Sequence, residues 1–240
     1  MTTKGRLHTA VANAIRFFEG SREPFALLWL DVMHRRFGIE EFAAALQRFD
    51  QVLTEQPKHL RLLRVLRRMA DYDNPLEIED LEAVSHPSDR IIVSALYCDR
   101  LGLPPSFPEV LAKAVKAGTY YLPHVLLAWF WIQENGHELA LPDGFVDDMY
   151  SANAAIINND PRVVSDLKLE AAAFLYLAGQ GALVDDVFVE SVIVTQNDDG
   201  GWGKSRDGQG DSDWHATVLG LLLLLHVKFP ADSVEIVNHT

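Results

Sequence analysis

Apolar residues recur at three- and four-residue spacing along almost the whole chain, and no convincing stretch alternates with a period of two between hairpin turns. The pattern predicts an all-α protein. Helices are expected over 7–19, 24–37, 39–55, 58–71, 77–84, 88–101, 107–117, 119–134, 144–158, 162–179, 184–196 and 213–228. Gly38 and Gly102 follow apolar-periodic segments, where a helix C-cap favours glycine, and Pro24, Pro87 and Pro108 stand near helix starts, where the missing amide proton costs little. Connections are short and no Ser/Gly-rich linker divides the chain, so 1–240 reads as one domain of antiparallel helical hairpins.

The helices are of two kinds. PHVLLAWFWI, LEAAAFLYLAG and HATVLGLLLLL are apolar nearly all round and must be buried on most sides, whereas EEFAAALQRFDQVL and PEVLAKAVKAG carry a charged face. Their alternation describes an inner ring of helices covered by an outer ring. Twelve helices make six hairpins, enough to close a barrel. His124, Glu170 and His215 open three of the inner helices at intervals of 46 and 45 residues, which points to a repeated supersecondary unit.

Composition narrows the function. With 48% hydrophobic and 23% charged residues the chain can bury a sizeable core. A net charge of -13 argues against nucleic acid as a partner, because neutralising phosphates needs a clustered excess of Lys and Arg. The one basic run, Arg61, Arg64, Arg67 and Arg68, reads as a solvated or partner-facing helix surface. Cys98, the sole cysteine, reads as a small buried hydrophobe that forms no internal disulfide. The start MTTKGRLHTAVANAI lacks the apolar core of a signal peptide. The most apolar run, 216–225, is half of the roughly 20 residues that a membrane crossing needs. A cytoplasmic protein without a membrane span is expected.

The segment QNDDGGW, 196–202, followed by a polar loop and DSDWHATVLGLLLLL, resembles the repeat of the terpenoid cyclase and protein prenyltransferase superfamily of α/α toroids. The family motif is a Gln near the end of an outer helix, a spacer, Gly-x-Trp, a turn and the next inner helix; Gln196, Gly200 and Trp202 match it. The resemblance implies a single α/α toroid of about six hairpins with a central cavity. Physically the motif is a staple, in which the Gln amide satisfies free backbone groups, glycine permits the turn and Trp stacks over it.

Catalytic features of the family are matched only in part. The Asp-x-Asp-Asp motif of the protonating cyclases resembles Asp211-Ser212-Asp213-Trp214, which puts Asp213 at the proton-donor position but Trp at the last Asp. Prenyltransferases bind zinc through Asp, Cys and a His in an aromatic-His-Thr context. Trp214-His215-Ala216-Thr217 resembles that context with one residue inserted, and the companion Asp-x-Cys is missing. Lanthionine cyclases place two cysteines on zinc, and this chain has one.

If the ring closes, His124, Glu170 and His215 face one axis, and two imidazoles with a carboxylate suit Zn or Fe(II) while leaving positions open for water or substrate. The competing reading is three buried polar residues, each satisfied by backbone or water. Asp211 and Asp213 read as a general acid, as carboxylates orienting His215, or as N-caps of the last helix; Ser165-Asp166 precedes LKLEAAAFL in the same way. Tyr121 and Trp214, beside the polar positions, are the pocket candidates. His8, His59, His86, His137 and His239 lie in polar surroundings and form no pattern. Two functions follow: a metal-dependent enzyme acting on a small, largely apolar molecule, or a non-catalytic toroid that binds a small ligand or protein partner.

Overall fold

The computed structural model describes residues 3–55, 60–204 and 210–230; His59, His239 and the first residues of the segment expected at 58–71 lie outside them. The helices are α1 (Thr3–Phe17), α2 (Pro24–Phe37), α3 (Ala45–Glu55), α4 (Leu60–Leu66), α5 (Ile78–Glu82), α6 (Pro87–Leu96), α7 (Cys98–Leu101), α8 (Phe107–Ala117), α9 (Tyr121–Glu134), α10 (Phe145–Asn158), α11 (Asp166–Leu177), α12 (Asp186–Val194) and α13 (Trp214–Lys228). Two short strands, β1 (Trp202–Gly203) and β2 (Ser212–Asp213), pair antiparallel with Trp202 opposite Asp213. Among the described residues the protein is thus all-α apart from this small ladder, and none of the described helices is long and apolar enough to cross a membrane.

Helix signals in the sequence hold best where caps are local. Pro24 and Pro87 open α2 and α6 from extended N-cap residues, and Gly38 ends α2 in the left-handed conformation, its N–H donating to the His34 carbonyl at 2.8 Å. The segment expected at 88–101 is instead broken at Tyr97, which is fully buried and donates its hydroxyl to the Val65 carbonyl at 2.8 Å.

Contacts divide the chain into two compact units, whereas the sequence reads as one continuous domain. The described part of the first unit is 3–21, 146–204 and 210–230, and that of the second is 22–55 and 60–145. No linker marks the division, because the first unit is assembled from segments far apart in sequence.

In the first unit α13 packs against α11 and α1 and against the β ladder. It is therefore covered on several sides, which is why it is apolar all round, buried from Ala216 to His226. On α11, Leu169 and Ala171 to Leu175 are buried in the same way.

In the second unit α6 and α8 both pack on α9, whose Val125, Leu126, Ala128 and Trp131 are buried; α2 packs on α3 and α4 on α5. The basic run on and after α4 faces carboxylates. Arg64 pairs with Asp80 at 2.5 Å, Arg67 with Asp50 at 2.9 Å and Arg68 with Asp99 at 2.6 Å. Arg68 is fully buried, with its guanidinium 4.6 and 4.7 Å from the Tyr72 and Tyr97 ring centres and Nη2 on Asp99; the rings and the carboxylate attract the cation, while Nε and Nη1 find no hydrogen-bond partner among the described residues.

Candidate functional site

The QNDDGGW segment is a dense hydrogen-bonded turn in the first unit. Gln196 donates its side-chain amide to the Ala10 carbonyl of α1 at 2.8 Å and to the Gly200 carbonyl at 2.9 Å. Trp202 is fully buried, its indole N–H donates to the Val192 carbonyl of α12 at 2.8 Å, and its ring lies against Gly220, where a Cβ would meet ring carbon at 2.8 Å. Gly200 has a φ of +91°, and a side chain there would run into the Asn13 backbone carbonyl. The motif therefore ties α1, α12 and α13 together.

That staple fixes the start of α13. The Trp202 N–H donates to Thr217 Oγ1 at 3.0 Å, and the Thr217 hydroxyl donates to the Asp213 carbonyl at 2.6 Å. Asp213 is the N-cap: its carboxylate accepts from the His215 N–H at 2.8 Å and pairs with Lys204 at 3.1 Å. Asp211 is exposed on the loop before β2. Of the three roles open to these aspartates, capping is the one Asp213 performs in the structure.

The carboxylate that holds the His215 imidazole is Asp166, the first residue of α11, 2.7 Å from Nδ1. The sequence context of Asp166, Ser165-Asp166 before an apolar run, marks it only as an acidic cap. Glu170 lies one turn further along α11, on the same face as Asp166, and is buried. Burial pushes the Glu170 carboxyl up to about 7, moderated by the attraction of His215. For His215, burial works against protonation, but the hydrogen bond to Asp166 and the charges of Asp166 and Glu170 outweigh it, so the imidazole titrates above its ordinary value. The result is an acid–base cluster, Asp166, Glu170 and His215, at the N-terminal ends of two apolar helices, with the half-buried Trp214 ring set edge-on to the imidazole at 5.3 Å.

His124 belongs to the second unit. It is half-buried on α9, with Nδ1 3.0 Å from the Tyr120 carbonyl and its ring 4.8 Å from the Tyr120 ring. Tyr121, also half-buried, lines a pocket of about 500 Å³ in that unit. Thus Glu170, His215, Asp213 and Trp214 share one unit, and His124 and Tyr121 the other. Among the described residues no group of three or more His, Cys, Asp or Glu is arranged to hold a metal ion.

The sequence resemblance has no counterpart in wider comparison: no family model, no curated protein and no solved structure matches the chain.

Proposed function

We propose that this protein is a small enzyme of the α/α-toroid class in which Glu170 and His215 move protons on a small, largely apolar substrate. The observation that carries the proposal is the buried Glu170 carboxyl, which desolvation pushes up to about 7, one helical turn from the Asp166 carboxylate that holds the His215 imidazole at 2.7 Å. A group whose pKa lies near neutrality both gives and takes a proton at working pH, which is the property general acid–base chemistry needs. Asp166 fixes the ring through Nδ1 and leaves Nε2 as the exchanging atom. The toroid arrangement is part of the proposal, supported by the Gln196–Trp202 staple and by the paired apolar helices α11 and α13.

A non-catalytic reading is favoured by the Trp202–Thr217–Asp213 chain, which makes the same helix start a piece of structural architecture. A thermal-shift screen of small apolar alcohols, esters and isoprenoids, followed by mass spectrometry, separates the two. The enzyme reading expects a ligand that the wild type converts and that Glu170→Gln binds without converting. Ligands bound equally by both and converted by neither would replace it with the binding reading. Elemental analysis of untagged protein addresses Zn or Fe(II): a stoichiometric metal that His215→Ala loses would place a metal, rather than proton transfer alone, at the start of α13.

A further inference from the structure

In the second unit, the pocket bordered by Tyr121 runs between α6 and α8, the two helices that pack on α9. Its wall is apolar, from Ile91 on α6 and Phe107, Val110 and Ala114 on α8. Its charged lining residues are Arg90 and Lys113, one from each helix, and both are cationic in a chain whose net charge is -13. Neither forms an ion pair among the described residues, whereas Arg64, Arg67 and Arg68 of the same unit all do. The larger groove of the first unit, about 1100 Å³, instead mixes signs, with Asp186 and Glu190 among Lys4, Arg162 and Lys228.

Two unpaired cations beside an apolar cleft select for one chemistry. A neutral apolar ligand leaves both charges unused, and a small polar anion leaves the apolar wall wet. A molecule with an apolar chain and one anionic head answers both, and about 500 Å³ falls within the range of small-molecule sites rather than of flat protein interfaces. We infer that this α6–α8 pocket binds an amphipathic carboxylate, with the chain along Ile91, Phe107 and Val110 and the carboxylate between Arg90 and Lys113. Ser85 and Ser94, also in the lining, add hydroxyl donors.

Decanoate and decanol are the probes, titrated calorimetrically into the full chain at low and high salt. Saturable decanoate binding is expected, about tenfold tighter than decanol and weakened about tenfold by charge reversal at both cations, as exposed charges worth somewhat under 1 kcal/mol each predict. Arg90→Glu and Lys113→Glu alter exposed side chains, so the fold is expected to survive, and circular dichroism checks it. Methyl NMR should show decanoate shifting Ile91 and Val110. Equal affinity for decanol, indifference to charge reversal, or shifts confined to Val187 and Val194 of the other groove would each overturn the inference. Self-association of the wild type that Lys113→Glu abolishes would also overturn it, by showing that a second copy of the chain covers the pocket.

Discussion

Trp202 and Gly200 show how much a single residue carries in the staple. Removing the fully buried indole by Trp202→Ala leaves a cavity beside Gly220 and strands the Val192 carbonyl, so a loss of about 3–5 kcal/mol is expected in urea unfolding. A loss under about 1 kcal/mol would mean that the ring is not a packing element. Gly200→Ala and Gly38→Ala form an internal control. Both glycines have positive φ, worth about 1–2 kcal/mol to any L-residue, but only Gly200 faces a backbone carbonyl, since nothing lies within 4 Å of a Cβ at Gly38. Gly200→Ala should therefore lower the melting temperature further than Gly38→Ala. The role of Trp202 was legible in the sequence because its partners Val192, Thr217 and Gly220 lie close to it in the chain, whereas the approach of Gly200 to Asn13, at the far end of the sequence, was not. Asp166 was not, because its partner His215 is 49 residues away. The one available signal was its spacing of four from Glu170, which puts both carboxylates on one helix face.

At the scale of elements, the starts of α11 and α13 confront each other with two acids and a base. A helix N-terminus disfavours an imidazolium, so the raised titration of His215 depends on the carboxylates of α11. Glu170 and His215 both bind protons more tightly folded than unfolded. Their contribution to stability is therefore fully present below the unfolded values, near 4.5 for Glu170 and 6.5 for His215, and is lost as pH rises through the folded ones. For Glu170, a rise from 4.5 to about 7 corresponds to about 3 kcal/mol. Glu170→Gln should thus melt higher than the wild type at pH 8 and about equally at pH 4.5; parallel melting curves across this range would refute a strongly raised carboxyl. Element boundaries were readable where prolines and glycines set them, as in α2 and α8. The break at Tyr97 was not, since it arises from a buried hydroxyl reaching Val65, and strands of two residues are too short to show a period.

For the whole molecule, charge is the property that sequence and structure describe together. The sequence singled out the arginines of 61–68 as the one basic run, and in the structure Asp80, Asp50 and Asp99 take up Arg64, Arg67 and Arg68. With -13 overall and its densest basic stretch internally paired, the protein should not be retained by duplex DNA at physiological salt; salt-sensitive retention in a mobility-shift assay would contradict this. The all-α character was legible from periodicity alone. The division into two units was not, because hydrophobic pattern reports which faces are buried and not which distant segments bury them.

Gln196 reaches back 186 residues to Ala10, and α13 covers the first helix. During translation this order matters. At roughly 5–20 residues per second, Ala10, Val11 and Ala14 wait on the order of ten to forty seconds for the segments that bury them, while every residue of 22–145 has already been made. Until then α1 presents an apolar surface to whatever it meets, chaperones included, and the emergence of α13 is what withdraws it.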